Sequence, residues 1–299
     1  MQLEEKWLVR TPRVEGALRQ KEWWFSDLHD RRSQVYMSWS FARAFAVDKF
    51  RLWLCDLAGD RTWSVDHNLY LDRAQAPGVL DLRHRGAIDL EYRGDGEGRA
   101  VFRARTPELR VDLEIVREGQ PFTRRDNYFR CSYALFHQFF NRVRGEVEAL
   151  GRRFAVDTAR SYYDHCFGVV PRRASWQWLA VQNDDIALAS LVNHGPYAQR
   201  YTQVYWQNSW HRLDPDVDFD YNRDDLAAPW RLRSRELDLI VRPRRVHRDH
   251  VSIPPLVPFL VDLQHNELFV EVEGELRLGG VRVPLRGLTG VAEEHDGRW

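Results

Sequence analysis

The stretch LFVEVEGELRLGGVRVPL, residues 268–285, alternates apolar with charged or small residues on both sides of Gly279-Gly280. A period of two is the pattern of a strand with one buried face, and a Gly-Gly pair supplies the positive φ that a tight hairpin turn requires. Leu268–Leu278 and Val281–Leu285 therefore read as a β-hairpin. Trp176–Gln182 and Ile186–Val192 flank Asn183-Asp184-Asp185 and read the same way. Earlier in the chain, Val35, Met37, Trp39 and Phe41 share one strand face, and Val111, Leu113 and Ile115 alternate with Asp112 and Glu114. The reading is antiparallel all-β. Leu135, Phe136, Phe139, Phe140 and Val143 fit a helical stripe as well as a strand, and short apolar runs leave the two open.

A chain of 299 residues has room for two modest domains or one large β domain. Alternation weakens around Arg124-Arg125-Asp126-Asn127 and resumes near 146, which places the boundary near 150: one domain over 1–150 and a second over 151–299. The 44 basic residues balance 44 acidic ones, so no bulk charge selects nucleic acid or an anionic membrane as partner. Aromatics make up 13% of the chain, twelve of them tryptophan, a content suited to a core or a pocket wall. Cys55, Cys131 and Cys166 are odd in number and lack a CxxC, which argues against a disulfide framework or a structural zinc. Residues 1–10 lack the apolar run of a signal peptide, and Ile253–Val261 is short and broken by Pro254, Pro255 and Pro258. The expectation is a soluble, cytoplasmic protein without an integral membrane segment.

Three clusters could carry chemistry. Glu22-Trp23-Trp24-Phe25-Ser26-Asp27-Leu28-His29 sets aromatics beside acid and imidazole, with Trp24, Asp27 and His29 as candidate ligand contacts. Tyr162-Tyr163-Asp164-His165-Cys166-Phe167-Gly168, followed by Arg172-Arg173 and Trp176-Gln177-Trp178, is the densest. Trp176 and Trp178 share a strand face and form a flat wall for an apolar ligand or a developing cation, while Asp164 and His165 are proton-transfer groups. Arg172 or Arg173 would instead hold Asp164 ionised, in a loop-anchoring ion pair. The third set joins His194, next to the Gly195-Pro196 turn, with Tyr205 and Trp206. No GxGxxG, Walker loop or GxSxG is present, and neither His165, Cys166 and His194 nor the HxxH of His247 and His250 has a persuasive metal-ligand pattern, so no cofactor and no metal are expected.

These segments carry a resemblance. Glu22-Trp23-Trp24-Phe25 resembles the EWWY opening of the hydroxyneurosporene-synthase-like, AttH-type proteins, Asp164-His165-Cys166-Phe167-Gly168 resembles their D-[RH]-x-W-G, and Trp176-Gln177-Trp178 their W-x-W strand, in the same order. Pro171-Arg172-Arg173, Pro229-Trp230-Arg231 and the ending Gly287–Glu294 resemble a related bacterial family of unknown function more closely. The resemblance implies two tandem lipocalin-like β-barrels, with the D-H-x-F-G and W-x-W segments in the second. It also implies activities like those of carotenoid 1,2-hydratases, plant-defence-compound hydratases and polyketide cyclases, which use no redox cofactor. Phe25 and Phe167 stand where the family more often has tyrosine and tryptophan.

The expected function is a cofactor-independent hydratase, lyase, isomerase or cyclase acting by acid catalysis on a hydrophobic unsaturated small molecule such as an isoprenoid, polyene or polyketide. Asp164 would be the acid and His165 its orienting partner. Trp176, Trp178, Arg172, Trp24, Asp27, His29, His194, Tyr205 and Trp206 would form the binding set. The alternative is a non-enzymatic carrier of the same ligands.

Overall fold

The computed structural model describes residues 20–44, 47–69, 72–73, 81–95, 98–128, 131–171, 173–194, 199–252 and 262–298. Among them every regular element is a strand and every strand pairing is antiparallel. The chain forms two compact units, residues 1–170 and 171–299.

The first unit holds β1 (Gln20–Asp30), β2 (Val35–Ala44), β3 (Val47–Asp56), β4 (Arg61–Leu69), β5 (Asp72–Arg73), β6 (Asp81–His84), β7 (Asp89–Gly94), β8 (Arg99–Arg105), β9 (Leu109–Val116), β10 (Phe122–Tyr128), β11 (Cys131–Ala149) and β12 (Arg152–Val169). Their order in the sheet is β4-β3-β2-β1-β12-β11-β9-β8-β7-β6-β5, with β10 added on β11. The second unit holds β13 (Arg173–Gln182), β14 (Ala187–His194), β15 (Arg200–Trp206), β16 (Ser209–Arg212), β17 (Asp218–Asp220), β18 (Trp230–Arg233), β19 (Leu237–Ser252), β20 (Asp262–Leu278) and β21 (Val281–Arg298). Its order is β16-β15-β14-β13-β21-β20-β19-β18-β17. In each sheet the last strand in sequence lies beside the first, the connection by which a strand meander curls into a lipocalin-type near-barrel.

Both expected hairpins are present, β13–β14 and β20–β21, the second turning at Gly279-Gly280 with φ of 59° and 83°. The boundary near 150 is corrected. Leu150 and Gly151, both at positive φ, are the turn of the β11–β12 hairpin, and β12 belongs wholly to the first sheet. Asp164 and His165 are therefore in the first unit, not in the second with the W-x-W strand. Residues 135–143 are strand. Both faces of β11 are buried from Ala134 to Phe139, which removes the polar alternation that would have marked them as such. Farther along, Gly145 at φ 135° sits at a register shift, where an added Cβ would collide with the Asp112 carbonyl of β9.

The first core lies inside the β1–β12 sheet, around Trp24, Leu28, Met37, Trp39, Phe41, Phe102, Phe136 and Tyr163. The stacked pair Trp39–Phe102, with centroids 4.7 Å apart, is at its centre. The second core gathers Leu179, Val181, Leu188, Val204, Trp230, Leu268, Val270 and Leu288. Full burial of one such side chain contributes about 1.5–3 kcal/mol.

Asp30 anchors the seam of the first sheet. Its side chain is fully buried, and it accepts hydrogen bonds from the backbone N–H groups of Arg32, Ser33, Asp157 and Thr158 at 2.8–3.1 Å. One carboxylate thus ties the β1–β2 turn to β12 just beyond the last paired residues, His29 and Arg160. Burial pushes its pKa up, but the amides of Ser33, Thr158, Arg32 and Asp157 outweigh burial and hold it below the ordinary value. Asp30→Ala is expected to lower the unfolding free energy by about 3 kcal/mol at neutral pH. A depressed carboxylate stabilises the fold above its unfolded pKa and loses that contribution as pH falls through the folded one, so the gap between wild type and variant should close in acid. Denaturant titrations at neutral and acidic pH measure both.

Candidate active site

Neighbouring residues of a strand point to opposite faces, and β12 sorts its motif accordingly. Tyr163, His165 and Phe167 share a face with Glu22, Trp24 and Phe136, the core side of the sheet. Tyr162, Asp164 and Cys166 share the other with Phe25, Asp27 and His137.

On that second face a hydrogen-bonded chain joins two strands, β11 and β12. His137 Nδ1 lies 2.6 Å from the Tyr162 hydroxyl, which in turn donates to Asp164 Oδ2 at 3.0 Å. A tyrosine hydroxyl has one proton. When it goes to Asp164, His137 Nδ1 must carry the proton that Oη accepts. With the opposite polarity, a protonated Asp164 donates to Oη and Oη to Nδ1. His137, Tyr162 and Asp164 are 2%, 1% and 8% exposed. The walls are aromatic: Phe122 stacks on His137 at 4.6 Å, Phe139 lies 4.5 Å from the Tyr162 ring, and Phe25 lies 6.2 Å from it. Asp27, also buried, accepts the Tyr162 backbone N–H at 2.9 Å and so fixes the strand that carries the hydroxyl.

Phe139 follows His137 on the same face, opposite Tyr162 in the register that pairs His137 with Asp164, and there β11 breaks register between Gln138 and Asn141, with Phe140 at φ 62°. A bulky residue in the left-handed region costs on the order of 1–3 kcal/mol, a cost the surrounding sheet has to carry. Burial, reinforced by the nearby Arg124 guanidinium, pushes the His137 pKa down to about 3. Its imidazole is neutral at physiological pH, so it places no cation beside Asp164 that would pin the carboxyl in its ionised form.

The family model that matches the chain, a domain of unknown function (DUF2804), covers residues 15–299. The chain belongs to that family. No curated protein matches the DUF2804 chain in sequence. Among solved structures, kievitone hydratase from Nectria haematococca superposes with a TM-score of 0.71 at 13% identity, over 99% of this chain and 92% of that one. A putative AttH from Nitrosomonas europaea gives 0.65 at 14% identity, over 97% of each chain. CghA gives 0.65 at 13%, over 93% and 88%. At such identities the likeness establishes the fold, an AttH-like pair of lipocalin-type barrels.

The residues singled out from the sequence are distributed unevenly over the DUF2804 fold. Asp164 and Asp27 are on the His137 face, and half-buried His29 follows them there, opposite Arg160. His165 does not orient Asp164. It faces the core, where its Nε2 lies 3.1 Å from Glu22 Oε1 and Trp24 stacks on it at 4.9 Å. Trp24 is likewise core. The imidazole linked to Asp164 is that of His137, through the Tyr162 hydroxyl, and neither His137 nor Tyr162 is among the candidate residues named from the sequence. Tyr162 was legible from its spacing of two before Asp164. His137 was not, because it lies in the segment that read equally as helix.

In the second unit Trp176 and Trp178 do share a face, the one opposite the core. Trp178 is 5% exposed, and Trp176 stacks on His295 at 3.6 Å while its indole N–H donates to Glu293. Tyr205 contacts Trp210, whereas Trp206 packs against the core from the other side of β15. His194 joins Gln177. Arg172 and the Gly195-Pro196 turn lie outside the described residues. Among those described, no group of three metal-ligating side chains converges, and no helix is long and apolar enough to cross a membrane.

His137 makes stability depend on pH. Its folded pKa lies below the unfolded value of about 6.5, so the unfolded chain binds the extra proton between the two. The contribution is absent above that range, and stability falls on acidification by up to about 1.4 kcal/mol per pH unit. Thermal unfolding from pH 7 to pH 4 is expected to show a steeper loss for wild type than for His137→Gln.

Proposed function

We propose that this protein is a cofactor-independent acid–base catalyst, a hydratase, lyase or isomerase acting on a hydrophobic unsaturated small molecule, with Asp164 as the acid. The observation that carries this reading is the buried His137–Tyr162–Asp164 chain among Phe25, Phe122 and Phe139. Likeness of fold to kievitone hydratase supports it.

In the hydration direction, protonated Asp164 gives its proton to one carbon of a double bond, and a cation develops on the other. Water adds there and loses a proton to the Asp164 carboxylate, which restores the acid, so the net change is addition of one water. The Tyr162 hydroxyl steadies the carboxylate while it is charged. His137, neutral and bonded through Nδ1, sets the direction of that hydroxyl. The surrounding rings exclude bulk water and face the developing cation with their π-systems. Loss of a proton in place of water addition yields an isomer, and the reverse path is a dehydration.

The test is turnover of a panel of isoprenoid, polyene and polyketide substrates in D₂O and in H₂¹⁸O, read by mass spectrometry. Wild type is expected to place deuterium on carbon, with ¹⁸O where water adds. Asp164→Asn should abolish both while ligand affinity is retained. Tyr162→Phe should lower kcat by about 10²-fold or more with little change in KM. Ligand binding without incorporation of either isotope would overturn catalysis in favour of carriage.

A further inference from the structure

From Gln138 to Asn141 strand β11 advances three positions, while its partner β12 advances only two, from Tyr163 to Ser161. In a regular strand, residues three apart point to opposite faces. The extra residue of this bulge, with Phe140 at φ 62°, turns Gln138 and Asn141 to one side, that of Tyr163 and the first core. Two primary amides, 1% and 0% exposed, are thereby set into an apolar interior.

Each amide is oriented by its own donor. Gln138 Nε2 donates to the Gly119 carbonyl at 3.0 Å, and Asn141 Nδ2 to the Gln138 carbonyl at 3.3 Å. Exchanging oxygen for nitrogen in either side chain would set two acceptors against each other, so the amide oxygens are the ends left over. Among the described residues no donor reaches Gln138 Oε1 or Asn141 Oδ1. Their polar neighbours are engaged elsewhere. Ser161, across from Asn141, donates its hydroxyl proton to the Tyr162 carbonyl at 3.2 Å. Arg117 lies over the Tyr163 ring at 4.5 Å, and its Nη2 donates to Tyr92 Oη at 3.3 Å. A buried acceptor without a donor is costly, and here two occur at one bulge, beside a bulky residue in the left-handed region.

A partner for these oxygens has to donate. The Arg117 guanidinium on the same side of the sheet opposes a cation and two carbonyl oxygens oppose an anion, which leaves a neutral donor, of which a hydroxyl is the smallest. We propose that the bulge of β11 is a binding site for a neutral hydroxyl group, held by Gln138 Oε1 and Asn141 Oδ1 among the apolar residues of the first core. A bound water and the hydroxyl of an apolar alcohol share this chemistry. The site is on the face of β11 opposite to His137 and does not depend on the role of Asp164.

The side-chain amide signals of Gln138 and Asn141, followed by NMR in the ¹⁵N-labelled full chain, test this. The chain is titrated with 1-hexanol and with methyl pentyl ether, which has the same atoms and no O–H. For an alcohol site, hexanol should shift both signals with a Kd at least about tenfold below that of the ether. Gln138→Met, which keeps the volume and removes the acceptor, should then bring the two ligands to within about twofold. For a water site, the two ligands behave alike in the wild type and both amides show cross-relaxation to a long-lived bound water. The proposal is overturned if the ligands behave alike and neither amide shows such a water, or if Gln138→Met keeps the full preference for hexanol. Should Gln138→Met fail to fold, the hexanol–ether comparison and the water signal in the wild type decide.

Discussion

The pairing of β12 with β1 on one edge and β11 on the other is the constraint on which the first unit depends. It joins the strand that ends the sheet's sequence to the strand that begins it, and Asp30 holds the junction with four backbone hydrogen bonds. Because β11 over 134–139 and β12 over 161–166 are buried on both faces, every polar side chain there has to be matched away from bulk water. His137, Tyr162 and Asp164 meet that demand through one another, and an arrangement that satisfies burial becomes one that can move a proton.

Period-two alternation then separates chemistry from packing. Asp164 and His165 are adjacent in sequence yet serve different sides of the sheet, one in the relay and the other against Trp24 and Glu22 in the core. The second unit repeats the division. Trp176 and Trp178 occupy one face of β13, and Gln177 between them points to the core side, level with Glu294 and Asn266. In both units a strand that delivers aromatic or acidic groups to one face delivers a polar anchor to the other.

Strain lies next to the relay. The register break in β11, with Phe140 at φ 62°, comes directly after Phe139, whose ring packs against that of Tyr162. The irregularity bends the strand just where the aromatic wall ends.

The sequence by itself determined the all-β class, the two hairpins around Asn183-Asp184-Asp185 and Gly279-Gly280, and the shared face of Trp176 and Trp178, because alternation and turn residues are local signals. It also marked Asp164. It could not place the division between the units: Leu150-Gly151 has the composition of a boundary, and only pairing shows it to be a hairpin turn. Nor could it join His137 to Tyr162, which lie 25 residues apart, because β11 is buried on both faces over 134–139 and carries no alternation there to declare its register. Tertiary structure decided which imidazole is hydrogen-bonded through Tyr162 to Asp164, since the partner of a side chain is set by the strand beside it and not by the residue next to it in the chain.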